Sequence, residues 1–151
     1  MEGLGSQIAK LPDVNVLTYE WDDWGKAWQS IIDFDKSDKI ALIGYSGGGS
    51  RATVIAGEPD PRTKTLPHID LLVAYDPSPK WQMWPLHSNV TKAICYHNKL
   101  PLMFGLGGGQ LTAAPVSPCT QIMTREIAEP HLLVQVNEEL HDATIQAIKD
   151  M

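Results

Sequence analysis

Two cysteines, Cys95 and Cys119, are all that this chain of 151 residues carries. They make no disulfide framework and have no metal-ligand spacing. Cys95 lies in an apolar run and reads as a small core residue. Basic residues are also scarce, with 12 Lys and Arg against 18 Asp and Glu and a net charge of -6. That balance excludes the basic footprint of a nucleic-acid binder and electrostatic attraction to an anionic membrane. No apolar run approaches the ~20 residues of a membrane-spanning helix. The opening, MEGLGSQIAK, lacks the basic region and hydrophobic core of a secretory signal, so the cytoplasm is the expected location. Repeats, low-complexity tracts and charge blocks are missing too. Pro and Gly punctuate the chain evenly instead of forming a linker, and residues 1–151 are expected to form one domain.

What the chain does have is alternation. Apolar runs at Val14–Tyr19, Ile40–Gly44, Ile69–Tyr75, Ala93–Tyr96 and Thr120–Ile127 predict about five strands. Between and around them, Leu4–Leu11, Gly25–Phe34, Gly49–Ala56 and Glu138–Lys149 predict helices, the last with Asn137 as N-cap. Short continuous apolar runs suit strands covered on both faces. The expected fold is therefore α/β: a three-layer, doubly wound, mostly parallel sheet. In such sheets function gathers at the carboxyl ends of the strands.

At one such end the chain reads LIGYSGGGSR, residues 42–51: a strand, a tight turn, then a helix. The bare pattern is cheap, but its setting suits a nucleophile elbow, in which a strained turn projects the Ser46 hydroxyl above the sheet. Strand and helix approach closely there, so the residues two before and two after must be tiny, as Gly44 and Gly48 are. The amide of Gly47, at the helix start, is placed for an oxyanion. No Gly-Lys-Ser/Thr closes a phosphate loop. The later Gly105–Gln110 stretch ends in glutamine where a dinucleotide fingerprint needs glycine, so no cofactor is expected.

An elbow serine needs a base and an orienting acid, in chain order Ser, Asp/Glu, His. The next strand ends in Asp76-Pro77, which makes Asp76 the candidate acid, while the strand after it ends in CYHNK and offers no carboxylate. Of five histidines, His131 alone follows the last strand and leads into the closing helix. His68 precedes a strand, His87 lies in a loop, His97 ends the fourth strand, and His141 falls inside the last helix as a surface or packing residue. His131 is the candidate base, with His141 behind it and His97 geometrically possible.

With these three placed, the chain resembles the α/β-hydrolase superfamily of serine esterases, lipases and thioesterases. GYSGGGSR resembles its elbow, AYDPSP the acid-proline segment of pancreatic-type lipases, and PHLLVQVNEELHDATIQAI its closing histidine, loop and helix. SNV at 88–90 and YHN at 96–98 are similar to stretches of small bacterial and phage lipase-like proteins. The resemblance spans roughly residues 4–150 and implies a minimal hydrolase fold with a Ser46–His131–Asp76 triad. The usual domain is larger and opens with extra strands that supply a second oxyanion amide. Here Gly3-Leu4-Gly5 stands in that place, and the amide of Leu4 is the expected second donor.

Tyr45 beside the serine, Trp81 and Trp84 after Asp76, and Trp21 at the end of the first strand are the expected walls of a pocket for an uncharged ester or acyl group. Phe104–Gly109 is expected as a second rim. The functional expectation is a serine hydrolase of esters or thioesters. The alternative is an inactive relative that binds a lipid or a protein, and a homodimer that completes the sheet edge is a further expectation.

Overall fold

The computed structural model describes residues 2–98, 107–119 and 121–151. Its elements are α1 (Glu2–Ile8), α2 (Trp24–Asp33), β1 (Ala41–Tyr45), α3 (Gly47–Gly57), β2 (Ile69–Tyr75), β3 (Val90–Asn98), β4 (Ile122–Ile127), α4 (His131–Val134) and α5 (Glu138–Lys149). The four strands form one all-parallel sheet in the order β1-β2-β3-β4. Helices cover both faces, which makes this a three-layer α/β fold.

Alternation within the strands builds the layers. Leu72 and Ala74 of β2, with Ala93 and Cys95 of β3, pack with Ala27 and Ile31 of α2 and Ala52 and Ile55 of α3. Their neighbours Leu71, Val73 and Tyr75, with Ile94 and Tyr96, face Leu4 and Ile8 of α1 and Leu140 and Ile148 of α5. β2 is apolar from Leu71 to Tyr75 because both its faces are covered there; Leu71, Leu72, Val73, Ala74 and Tyr75 are fully buried. α5 begins where Asn137 caps it, the side chain accepting from the Leu140 amide at 3.0 Å. Glu138 and Glu139 in its first turn suit the positive end of the helix dipole.

Several expectations change. Four strands are described, not five: Val14–Tyr19 runs without strand pairing and makes no backbone hydrogen bond to β1. A strand is defined by a neighbour, and this stretch has none among the described residues. The sheet is also not doubly wound in the strict sense, since strand order follows chain order with no reversal. β4 is not an apolar, doubly covered strand either; Thr124, Arg125 and Glu126 are exposed along it. Its expected first residue, Thr120, and the Phe104–Leu106 part of the expected rim lie outside the described residues. Among the described residues, no helix is long and apolar enough to cross a membrane.

Candidate active site

β1 ends at Tyr45 and α3 starts at Gly47, which leaves Ser46 alone to turn the chain. It does so at φ 53°, ψ -120°, a region that costs a non-glycine residue about 1–3 kcal/mol. The turn is held from below. The Ser46 amide donates to the Tyr75 carbonyl at 2.9 Å, and its own carbonyl accepts from the Ser50 and Ser78 amides, each at 3.2 Å. Gly44 is obligatory here: a Cβ on it would stand 2.3 Å from the Gly48 carbonyl oxygen. The second tight glycine is not Gly48, whose Cβ would meet nothing within 4 Å. It is Gly49, whose Cβ would come to 3.2 Å from both the Gly44 oxygen and the Pro77 side chain. Close packing of strand and helix constrains the helix face turned toward the strand, and Gly48 looks outward.

Asp76 repeats the device at the end of β2, with φ 43° and its amide donating to the Tyr96 carbonyl at 2.6 Å. Its buried carboxylate accepts three hydrogen bonds. Oδ1 accepts from the backbone amides of Asn98 at 2.9 Å and Gly108 at 2.7 Å, and His131 Nδ1 donates to Oδ2 at 2.6 Å. That hydrogen bond fixes the tautomer, so Nε2 carries a lone pair, and Ser46 Oγ donates to it at 3.0 Å. The two ring contacts align serine, imidazole and carboxylate in one row, with His131 and Asp76 both buried.

Tyr45 holds the histidine in two ways. Its ring stacks on the imidazole with centroids 5.0 Å apart, and its hydroxyl donates to the His131 carbonyl at 2.9 Å. Burial, and then the negative charge of Asp76, push this phenol above the usual tyrosine range. The Asn98 side chain donates to the Glu129 carbonyl and so ties the end of β3 to the loop that delivers His131.

Over Ser46 lies a pocket of about 230 Å³ lined by Trp21, Tyr45, Gly47, Gly48 and Trp81. Trp21 and Trp81 meet there at a centroid distance of 4.8 Å, and Arg51 stacks its guanidinium 5.6 Å from the Trp81 ring. The amides of Gly47 and Gly48 belong to the first turn of α3 and have no acceptor among the described residues, as the helix start leaves them. Trp81 Nε1, also without an acceptor among the described residues, approaches within 3.4 Å of where a Cβ on Gly47 would stand.

Ser46, Asp76, His131, Gly47, Tyr45, Trp21 and Trp81 thus come to one place, and two expected residues do not. Leu4 is buried under the opposite layer with Leu71 and Val73 and lines no part of the Ser46 pocket. Trp84 packs on Gly57 at the far end of α3, ten residues and roughly 15 Å along the helix from Gly47. The other histidines are accounted for elsewhere. His68 faces Asp70 at 3.4 Å at the start of β2, His87 contacts the Val116 carbonyl, and His141 is a buried packing residue bonded to the Gln135 carbonyl. His97 is buried at the end of β3, in register with Glu126 of β4.

Gly107 and Gly108, expected as part of a pocket rim, line no part of the Ser46 pocket and sit instead on the Asp76–His131 pair. Gly107 has φ +81°, and a Cβ on it would stand 2.2 Å from Asp76 Oδ2 and 2.5 Å from His131 Nδ1. The loop is a backbone cap laid directly on the carboxylate–imidazole pair, and only glycine leaves that space empty. The run of three glycines is the one available signal; what it touches is not local.

No protein-family model matches the chain, and no curated protein or solved structure was found similar to it.

Proposed function

We propose that the chain is a serine hydrolase that cleaves small, uncharged carboxylic esters or thioesters through an acyl-enzyme. One observation carries this reading: the unbroken row Ser46 Oγ, His131 Nε2, His131 Nδ1, Asp76 Oδ2, with steps of 3.0 and 2.6 Å. As the Ser46 oxygen attacks the substrate carbonyl carbon, its proton passes to His131 Nε2. Asp76 stays ionised and holds the imidazolium. The negative oxygen of the tetrahedral intermediate falls within reach of the Gly47 amide, and the Trp81 indole N–H is the second donor in place of Leu4. Collapse breaks the ester or thioester bond, and the leaving alcohol or thiol takes the proton from Nε2. Water then repeats the sequence on the acyl-enzyme, releasing the acid and returning the proton to Ser46.

The 230 Å³ pocket with aromatic walls accommodates a short acyl or aryl group. Incubation with a fluorophosphonate, followed by intact mass and peptide mapping, tests the reading. A single adduct on Ser46, lost in Ser46→Ala, together with turnover of a p-nitrophenyl ester, is the expected result. An unreactive Ser46 with an acyl ligand bound in the pocket would move the chain to the binding-protein reading.

A further inference from the structure

Three arginines occur in the chain, and two of them are paired. Arg62 binds Asp60 and Asp33, and Arg125 binds Glu139. Arg51 has no ion pair among the described residues, in a chain that carries 18 Asp and Glu. Its Nε is buried and donates to no acceptor among the described residues. A buried donor left unpaired on a charged group costs more than a neutral one. What holds Arg51 is aromatic: its guanidinium carbon lies 5.8 Å from the Trp24 ring centroid and 5.6 Å from that of Trp81. Ring contacts engage the faces of a guanidinium and leave its in-plane N–H groups without acceptors.

The placement points to the same conclusion. Arg51 stands four residues after Gly47, on the same face of α3 and about 6 Å further along its axis. Helical side chains lean toward the N-terminus, so Arg51 leans back toward the turn that presents Ser46. Gly47 contributes no side chain there, and the two indoles close over it instead. Trp81 Nε1 and Trp21 Cε3 come to 3.4 and 3.7 Å from where a Cβ on it would stand. Arg51 lines a second cavity with Trp21, Tyr45 and Gly48, and this cavity meets the Ser46 pocket at those three residues. An unpaired cation therefore borders the candidate nucleophile, just outside the aromatic pocket for the acyl group.

We infer that Arg51 is a specificity-determining residue that binds a carboxylate on the leaving half of the substrate. The inference rests on the hydrolase reading and deepens it: the acyl half stays uncharged, and the leaving alcohol or thiol carries one acid group. A carboxylate presents two oxygens in one plane and accepts from two N–H groups of a guanidinium at once. An ester held both in the Ser46 pocket and at Arg51 is fixed at two points, which places its carbonyl over the serine. Esters without the acid group lose the second point and are the poorer substrates.

3-Acetoxybenzoate and 3-acetoxybenzamide test this as a matched pair, since only the first carries a carboxylate on its leaving phenol. The parent protein is expected to cleave the carboxylate with kcat/KM about tenfold higher, and Arg51→Met to bring that ratio close to one. Equal kcat/KM in the parent, or a preference that survives in Arg51→Met, overturns the inference. A second measurement on the parent needs neither catalysis nor a variant. The leaving half alone, 3-hydroxybenzoate, is expected to shift the indole N–H signals of Trp24 and Trp81 saturably in NMR spectra, and 3-hydroxybenzamide is not. No shift at up to about 10 mM, or equal shifts by the amide, overturns the inference even where both esters are cleaved. Saturable shifts by the carboxylate in a protein that cleaves neither ester would uphold the carboxylate site and sink the hydrolase reading, so the two failures are told apart.

Discussion

Replacing Gly107 by alanine puts a methyl carbon where the Asp76–His131 hydrogen bond already fills the space. The added carbon would stand 2.2 Å from Asp76 Oδ2, 2.5 Å from His131 Nδ1 and 2.7 Å from the Asp76 carboxyl carbon, all inside van der Waals contact. Neither partner can yield freely, since Asp76 is pinned by two backbone amides and His131 by Tyr45. The backbone at φ +81° adds a penalty of about 1–2 kcal/mol for any side chain. If the carboxylate and imidazole separate, His131 loses its oriented tautomer, and the loss approaches the ~10⁴-fold of an acid-to-amide change in such a triad. Gly107→Ala is therefore expected to slow fluorophosphonate labelling of Ser46 by about 10²- to 10⁴-fold, with KM for a p-nitrophenyl ester little changed. Non-additivity sharpens the reading. In an Asp76→Asn background the same substitution should cost almost nothing further, because both act through one hydrogen bond. A Gly107→Ala protein that labels within about twofold of the parent, while still folded by circular dichroism, would refute the cap on the Asp76–His131 pair.

Trp81→Phe keeps the pocket wall but removes the indole donor; acylation is expected to fall about 10²-fold with stability preserved, measured by stopped-flow burst kinetics. Gly44→Ala is expected to destabilise by about 3 kcal/mol or more, because its Cβ meets backbone at 2.3 Å. Gly48→Ala, with open space at its Cβ, is expected to be neutral or to stabilise α3 by up to about 1 kcal/mol, and urea unfolding compares the two. Alkaline pH tests the core. Burial pushes the Cys95 thiol from 9.0 up to about 11, so the folded chain holds this proton more tightly than the unfolded one. Its stabilising contribution is complete below pH about 9 and is lost as pH rises through about 11, a fall of up to about 3 kcal/mol. Tyr45 and Tyr96, also raised by burial, add in the same direction. Denaturant unfolding of the parent and Cys95→Ala across that range should show the parent losing more.

Some elements were legible in the sequence residue for residue. The bounds of β2 and α5 follow from continuous apolarity and from Asn137 with its helical period. Ser46, Asp76 and His131 could be singled out because each closes a strand or opens the segment after one, and parallel strands bring such ends to one edge. Relations between distant segments were not legible. Val14–Tyr19 has strand composition, but a strand also needs a neighbour, and none pairs with it among the described residues. Trp84 follows Asp76 closely in sequence yet turns to Gly57, because Trp81 already fills the side next to Gly47. Leu4 is drawn into the core by its apolar surface rather than held beside Ser46. Local pattern also assigned the crowding around the elbow to Gly48, whereas the face that α3 turns toward β1 and Pro77 assigns it to Gly49. The cap of Gly107 and Gly108 on Asp76 is the clearest case: three glycines announce a loop, but only the folding of that loop back over β2 puts the Gly108 amide on a carboxylate some thirty residues away. Sequence determines which residues can do chemistry at strand ends; tertiary structure decides which of them touch, because hydrogen bonds and close contacts depend on positions set by the whole sheet.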